Sequence, residues 1–291
     1  MTNDELLDRA AAAVASADAL LIGAGAGMGV DSGLPDFRGD KGFWNAYPPY
    51  AKLGLNFVAL ANPRWFQDDP ELAWGFYGHR LNLYRQTVPH AGFHILRKWA
   101  ERMPRGGFVY TSNVDGHFQR TGFPEEQVME VHGAVEWMQC ARPGCKADLW
   151  HIDPKGPSPV TIDETTMRAM PPLPVCPVCS ALARPNILMF GDAEWDESRT
   201  YEQELRFNQW RASLSGARLV VVECGAGTAI PSVRNLCDYV ANQCRGTLIR
   251  LNIREPHVPA GEVGLALGAL EGLRTIDDRL ETASTALPIK G

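Results

Sequence analysis

Four cysteines in two close pairs set the strongest constraint on how this chain folds. Cys140 and Cys145 are separated by four residues, and Cys176 and Cys179 by two. A tetrahedral Zn²⁺ takes two thiolates from each of two tight turns, so this spacing predicts that the four cysteines bind one zinc ion. Four thiolates leave no coordination position for water or substrate, so the predicted zinc is structural rather than catalytic.

A glycine-rich segment near the N-terminus supplies a second constraint. The apolar residues 19–22 read as a buried strand that runs into Gly25-Ala26-Gly27. Backbone N–H groups of such a turn, and of a helix N-terminus that follows it, can hold a phosphate. The turn is not a dehydrogenase fingerprint, because Val30 stands where the third glycine belongs, and it lacks the Gly-Lys-Ser/Thr of a P-loop. The sequence therefore predicts a nucleotide-binding turn of another kind.

The order of helical and apolar segments predicts an α/β fold. Residues 4–16 read as a helix with acidic residues in its first turn. Helical stretches between several of the apolar runs predict a Rossmann-like, doubly wound parallel sheet, in which ligands bind beyond the carboxyl ends of the strands. The further runs that read as parallel strands are 107–111, 128–131, 187–190, 218–222 and 247–251.

Two insertions interrupt this alternation and predict a second, smaller lobe. Residues 41–88 carry aromatic residues, proline and helix-like periodicity, and residues 139–184 contain the cysteine pairs and proline-rich stretches. We expect these insertions to form a small lobe that combines a helical insert with a zinc ribbon. The large Rossmann-like domain would then consist of residues 1–40, 89–138 and 185–291.

Composition excludes several classes of function. The net charge is −6 and no block of five or more basic residues occurs, so we expect no nucleic-acid binding. No apolar run approaches the roughly 20 residues that span a bilayer, so we expect no membrane association. The acidic start is unlike a signal peptide, and seven cysteines in such a chain suggest a reducing cytoplasm.

Six motifs, in order along the chain, resemble those of the sirtuins, the NAD-dependent protein deacylases. The first is Gly25-Ala26-Gly27 followed by Gly-Leu-Pro-Asp-Phe-Arg at 33–38. The resemblance spans about residues 18–270 and implies NAD and Zn²⁺ as cofactors, with acyl-lysine proteins or peptides as substrates. The other motifs are Thr-Ser-Asn-Val-Asp at 111–115, Glu-Val-His-Gly at 130–133, the cysteine pairs, Arg-Pro-Asn-Ile-Leu-Met-Phe-Gly at 184–191 and Leu-Asn at 251–252.

The resemblance also implies which residues bind NAD. The glycine turn would hold the pyrophosphate, Asp36 and Arg38 would order the loop, and Phe37 would cover the reacting carbon. Asp115 would accept a hydrogen bond from the nicotinamide amide, for which a carboxylate is a suitable acceptor. The full implied set is Gly25, Ala26, Gly27, Asp36, Phe37, Arg38, Ser112, Asn113, Asp115, Gly225, Gly227 and Asn252.

The catalytic residues implied by the resemblance are His132 and Asn113. In the family, the acyl-lysine oxygen attacks the ribose carbon as nicotinamide leaves, and the products are free lysine and an O-acyl-ADP-ribose. By resemblance, Asn113 would hold a water at the ribose and His132 would be the general base. Imidazole has an unperturbed pKa of about 6.5, so it can accept a proton from a ribose hydroxyl near neutral pH.

Tyr77 and Arg80 resemble a Tyr-x-x-Arg pair found in sirtuins that remove negatively charged acyl groups. An Arg fork suits a carboxylate and a phenol adds one donor, while Ala61 matches the alanine that leaves room for the group. The resemblance therefore implies succinyl- or malonyl-lysine as substrates beside acetyl-lysine. The acyl-lysine tunnel and the docking strand for the peptide would include Leu188, Phe190 and Gly191.

Residues 224–231, Cys-Gly-Ala-Gly-Thr-Ala-Ile-Pro, depart from the Gly-Thr-Ser run with which sirtuins hold NAD. This departure leaves open a protein mono-ADP-ribosyltransferase or an NAD glycohydrolase, in which an arginine side chain or water takes the ribosyl group. An alternative from another class is a non-catalytic module that binds NAD or another metabolite. The presence together of Asn113, Asp115 and His132 argues against that module.

Overall fold

The computed structural model describes residues 2–35 and 47–285. Its helices are α1 (Asn3–Ser16), α2 (Pro48–Lys52), α3 (Phe57–Leu60), α4 (Trp65–Asp68), α5 (Pro70–Gln86), α6 (Ala91–Arg102), α7 (His117–Arg120), α8 (Ser198–Ala212), α9 (Ser232–Cys244) and α10 (Ala269–Thr285). Its strands are β1 (Ala19–Ala24), β2 (Gly107–Thr111), β3 (Val128–Glu130), β4 (Gly133–Cys140), β5 (Trp150–His151), β6 (Thr161–Asp163), β7 (Arg168–Met170), β8 (Ala183–Ile187), β9 (Leu219–Cys224), β10 (Thr247–Leu251) and β11 (Val263–Leu265). Of the helices described, none is long and apolar enough to cross a membrane.

Six parallel strands form the central sheet, in the order β11-β10-β9-β1-β2-β3. The chain winds outward from β1 in one direction and then returns to wind outward from β9 in the other, so the predicted doubly wound sheet is confirmed. β1 and β9 pair from Ala19 opposite Leu219 to Ala24 opposite Cys224. The reversal lies between these two strands, and in such sheets it opens a ligand crevice at their carboxyl ends.

Helices cover both faces of the sheet because successive strand residues point to opposite sides. Leu20 and Ile22 of β1 pack into one core with α1, α6 and α10. Leu21 packs into the core on the other face with Phe207 of α8 and Cys237 of α9. Every residue of β1 and of β9 is buried, as continuous apolar runs predict. The predicted helix at 4–16 and five of the six predicted strands agree with the structure to within two residues at each end.

A second core lies in the smaller lobe and centres on α5. Trp74, Phe76 and Tyr77 of this helix are buried in it. The antiparallel sheet β5-β4-β8 and the hairpin β6-β7 contribute to the same core. Gly75 lets the hairpin approach the helix closely, because a Cβ there would lie 2.1 Å from the Met167 carbonyl oxygen. The described part of the helical insert therefore packs as one unit with the sheet that leads to the cysteines.

Residues 187–190 do not form a strand of the parallel sheet, so that prediction is wrong. β8 ends at Ile187 and runs antiparallel to β4 in the three-stranded sheet. Ile187 and Met189 are buried in the core of the small lobe, whereas Leu188 and Phe190 are 38% and 37% exposed and Phe190 lines a cavity. The predicted domain boundaries at 138/139 and 184/185 fall within β4 and β8, which pair with each other.

Candidate active site

A cavity of about 650 Å³ lies at the carboxyl edge of the central sheet. It extends from the ends of β1, β2 and β3 across the reversal point to the loops that follow β9 and β10. A volume of this size suits a small-molecule or cofactor ligand. The predicted site residues that line it are Gly25, Ala26, Arg80, Ser112, Asn113, Asp115, His132, Phe190 and Gly227.

The glycine turn after β1 contacts the loop after β9 through backbone atoms. The Gly27 N–H donates to the Gly225 carbonyl at 3.1 Å, and the Gly225 N–H donates to the Leu251 carbonyl at 2.9 Å. Gly225 has a φ of 62°, and a Cβ there would lie 2.4 Å from the Cα of Gly27. A Cβ on Gly25 would lie 2.6 Å from the Cα of Ala226. Both glycines are therefore required where the two loops meet.

Asn113 and Asp115 follow β2 and lie beside the glycine turn. The Asn113 Nδ2 donates to the Gly25 carbonyl at 3.1 Å, and its backbone N–H donates to Thr111 Oγ1 at 3.0 Å. Asp115 Oδ1 accepts the His117 N–H at 2.9 Å, which holds the carboxylate at the start of α7. The structure thus brings both predicted residues to the same end of the cavity.

His132 follows β3 and lines the same cavity as Asn113. Its ring interacts with the Ser112 backbone, and its carbonyl accepts the Leu188 N–H at 3.0 Å. Burial lowers the pKa of His132 below its ordinary value, and the interaction with the Ser112 backbone opposes part of that shift. The imidazole is therefore neutral at neutral pH, which is the form that accepts a proton.

Asn252 lies behind the cavity wall and stabilises the loops that follow β9 and β10 through hydrogen bonds. Its Nδ2 donates to the Ala226 carbonyl at 2.8 Å, and its Oδ1 accepts the Arg254 and Glu255 N–H groups at 3.1 and 3.0 Å. Glu255 in turn accepts the Thr228 N–H at 3.1 Å and the Thr228 hydroxyl at 2.5 Å. Thr228 and Glu255 both line the cavity. Sequence reasoning missed Glu255, because no local pattern marks it.

Helix α5 brings Arg80 to the cavity wall but leaves Tyr77 behind it. Arg80 Nε donates to the Tyr84 hydroxyl at 2.9 Å, and both side chains line the cavity. Tyr77 is 1% exposed and stacks on Phe66 at a ring distance of 5.8 Å. Among the described residues its hydroxyl has no hydrogen-bond partner. Sequence reasoning missed Tyr84, although its i, i+4 spacing from Arg80 predicts that the two share a helix face.

The segment after β8 joins the cavity to the small lobe. The Phe190 N–H donates to the Ala61 carbonyl at 2.9 Å. Gly191 has a φ of 70°, and a Cβ there would meet no heavy atom within 4 Å. Arg184 of β8 and Asp192, both buried as side chains, form two hydrogen bonds of 2.9 Å that hold the end of this segment against the strand. The segment therefore presents an apolar side chain and an open backbone at the rim of the cavity.

The four predicted zinc ligands come together at the end of β4 and in the turn before β8. Their Sγ atoms all lie within 4.8 Å of one another. Cys179 Sγ is 3.6 Å from those of Cys140 and Cys145, and Cys145 and Cys176 are 3.9 Å apart. Thiolates about 2.3 Å from a tetrahedral Zn²⁺ lie about 3.8 Å apart, so this arrangement fits the ion. None of the four cysteines lines the cavity, which agrees with a structural role.

Asp36, Phe37 and Arg38, which the sequence predicts beside the nicotinamide ribose, lie outside the described residues. Their roles stay predictions. Leu34 and Pro35 are the last described residues before them, and both line the cavity. The chain therefore enters this segment at the cavity wall.

Comparison with known proteins identifies relatives that bear the names of enzymes. The chain is 28% identical to an "NAD-dependent protein deacylase" of Aquifex aeolicus, over 88% of this chain and 92% of that protein. It is 32% identical to "NAD-dependent protein deacylase 2" of Pyrobaculum aerophilum, over 82% of each chain. It is 29% identical to a "Probable bifunctional ADP-ribose hydrolase/ADP-ribosyltransferase" of Fusarium oxysporum f. sp. cubense over 76% of this chain, a match that covers 37% of that protein.

Solved structures of Sir2 homologues share the fold. One in complex with ADP-ribose superposes with a TM-score of 0.69 at 24% identity, covering 96% of this chain and 99% of its own. One in complex with NAD gives a TM-score of 0.68 at 23% identity, covering 95% of this chain and 94% of its own. The profile of the Sir2 family matches residues 25–209, a range that contains Asn113, His132 and the four cysteines. The chain therefore belongs to the Sir2 family.

Proposed function

We propose that this protein is an NAD-dependent protein-lysine deacylase that releases nicotinamide and an O-acyl-ADP-ribose. One observation carries the proposal: His132 lies in a single cavity with Asn113, Asp115 and the glycine turn. The relatives that are named NAD-dependent protein deacylases support it. The substrates that we propose are acyl-lysine side chains of proteins or peptides.

The residues of the cavity fit NAD along its length. The glycine turn lies at the carboxyl end of β1, where backbone N–H groups suit a pyrophosphate. Asp115 offers an acceptor for the carboxamide on one side of the turn, and Thr228 lies on the other side, in the loop after β9. When bound, NAD supplies a ribose carbon that becomes electrophilic as nicotinamide departs.

His132 would accept the proton of a ribose hydroxyl in this arrangement. Its burial keeps the ring neutral, because desolvation lowers its pKa. Asn113 joins the strand end beside His132 to the glycine turn, so the base and the proposed pyrophosphate site keep a constant spacing. The apolar side chains of Val114 and Phe190 in the cavity wall would limit the access of bulk water.

We further propose that Arg80 makes the protein prefer acidic acyl groups such as succinyl or malonyl. Arg80 is 8% exposed, and its guanidinium lies 5.2 and 5.8 Å from the rings of Phe76 and Phe57. A guanidinium in a largely apolar wall attracts a carboxylate strongly, because little water screens the two charges. Tyr84 holds its Nε, which orients the group. Acetyl-lysine offers no carboxylate and would use the same cavity without this interaction.

A second function, ADP-ribosyl transfer to protein or hydrolysis of NAD, is favoured by two observations. The Fusarium relative bears the name of an ADP-ribosyltransferase. Residues 224–231 also differ from the segment that the resemblance leads one to expect. The same cavity would serve this function, and only the group that accepts the ribosyl carbon would change.

The test is to incubate the purified protein with NAD and matched acetyl-, succinyl- and malonyl-lysine peptides and to follow all products by mass spectrometry. Nicotinamide and O-acyl-ADP-ribose are expected from the wild type and not from His132→Ala. Arg80→Met is expected to lose the acidic preference and to keep deacetylation. Free ADP-ribose or modified protein without deacylated peptide would establish the second function. NAD that binds but is never consumed would refute both.

A further inference from the structure

Glu130, two residues before His132, has its polar groups satisfied by helix α8. β3 is the outermost strand of the central sheet, so β2 pairs with it on one side only. On the open side, the Gln203 Oε1 accepts the Glu130 N–H at 3.0 Å, and the Thr200 hydroxyl donates to the Glu130 carbonyl at 3.3 Å. Side chains of the helix thus take the place of a neighbouring strand.

Arg199 binds the carboxylate of the same residue. Its Nη2 donates to Glu130 Oε2 at 2.5 Å and to Glu125 Oε1 at 2.6 Å. Glu130 is 1% exposed, so this ion pair lies inside the protein. The guanidinium also lies over the ring of Trp137, 4.9 Å from its centroid. Glu130 ends β3 and Trp137 belongs to β4, so one arginine joins the central sheet to the three-stranded sheet.

The chain between these two strands consists of Val131 and His132. We propose that Arg199 is a positioning residue for His132, because it holds the strands on both sides of the two-residue connection that contains the base. This inference rests on the proposed function, in which His132 is the general base. The connection is also held by the Val131 N–H, which donates to the Thr111 carbonyl at 3.0 Å.

Loss of Arg199 would leave the Glu130 carboxylate buried without its cation, and the edge of β3 would move or take up water. A base that moves by about 1 Å can lose about a hundredfold in rate, because proton transfer needs hydrogen-bond distance. Water at the connection would also raise the pKa of His132, which burial lowers. Titration of His132 therefore reports on the burial of its ring and needs no turnover. The other titratable groups of the cavity wall are Arg80, Tyr84, Asp115, Arg254 and Glu255.

The experiment compares Arg199→Met with Arg199→Lys and with the matched control Arg211→Met. Arg211 lies on the same helix and stacks on Phe207 and Tyr239, each at 5.7 Å, so its loss removes a similar arginine–ring contact elsewhere. Arg199→Met is expected to lower kcat about tenfold to a hundredfold. KM for NAD should change less than about twofold, because Arg199 does not line the cavity. Arg199→Lys should restore most of the rate, and Arg211→Met should match the wild type.

Titration of the His132 ring by NMR gives a second readout that needs no turnover. Its pKa is expected to rise in Arg199→Met and to stay unchanged in Arg211→Met. Gln203→Met removes the hydrogen bond from the Glu130 N–H and a weaker one to Glu125 Oε1 at 3.4 Å, and it keeps the Arg199–Glu130 ion pair. This variant replaces Arg199→Met if that variant does not fold. It should shift kcat and the titration in the same direction by a smaller amount.

A folded Arg199→Met or Gln203→Met with the kcat and the His132 titration of the wild type would overturn the inference. A lowered melting temperature with both quantities unchanged would overturn it as well, because Arg199 would then be only structural. If the wild type consumes no NAD, the proposed function fails. The NMR titration would still decide whether Arg199 positions His132.

Discussion

Replacing Gly225 with alanine adds one methyl group where the glycine turn meets the loop after β9. The new Cβ would lie 2.4 Å from the Cα of Gly27 and 2.5 Å from the N of Met28, whereas ordinary contacts begin near 3.4 Å. The two loops must therefore separate by about 1 Å, because close-packed backbone has no other way to make room. The φ of 62° adds strain for any residue with a Cβ.

The combined cost of this overpacking and of the left-handed backbone is about 2 to 5 kcal/mol in the free energy of unfolding. NAD binding should weaken as well, because the turn that moves contains the N–H groups proposed to hold the pyrophosphate. Loss of one hydrogen bond to a charged group is worth about 1.5 to 3 kcal/mol. This energy corresponds to a dissociation constant about 10 to 100 times larger.

The assay is a calorimetric titration with NAD and with ADP-ribose, and Gly227→Ala is the matched control. A Cβ on Gly227 would meet only Glu255 Oε2, at the ordinary distance of 3.6 Å. That variant is expected to change the free energy of unfolding by less than about 1 kcal/mol. NAD affinity equal to the wild type in Gly225→Ala, or an equal loss in both variants, would refute the reasoning that this contact shapes the nucleotide site.

Other substitutions and conditions test the remaining parts of the site. The value of kcat/KM should stay constant through neutral pH and fall only below pH of about 6.5. The reason is that burial lowers the pKa of His132 and only the neutral ring accepts a proton. A fall in kcat/KM that begins above neutral pH as the solution is acidified would contradict this. Tyr84→Phe should lower the ratio of the succinyl rate to the acetyl rate about fivefold, because one hydrogen bond is worth about 1 kcal/mol. Tyr77→Phe should leave this ratio unchanged. A larger effect of Tyr77→Phe than of Tyr84→Phe would show that Tyr77 contacts the acyl group. Removal of zinc by a chelator, or Cys140→Ser, should lower the melting temperature and the activity together. The metal joins the end of β4 to the turn before β8, so its loss would loosen the small lobe. Metal release without any change in the melting temperature would show that the four-cysteine site is not structural.

Features that depend on residues close together in the chain could be predicted. β1 and β9 read as strands because both faces of each are buried, so their apolar runs are continuous. The match to sirtuin motifs predicted Asn113 and His132 as catalytic residues, and both line one cavity in the structure. The same reasoning failed at 187–190, because this apolar run leaves β8 at Ile187 and only Ile187 and Met189 enter a core, yet its composition is that of a buried strand.

The sequence by itself determined the doubly wound sheet, the glycine turn and the cysteine tetrad, since each follows from short segments with their own geometry. Only the tertiary structure decided which face of α5 meets the cavity, where Arg80 and Tyr84 line the wall and Tyr77 lies behind it. It also decided that Gln203, 73 residues after Glu130, completes the edge of the strand before His132. Both outcomes depend on how a helix packs against a sheet, and that packing is set by contacts between residues far apart in the chain.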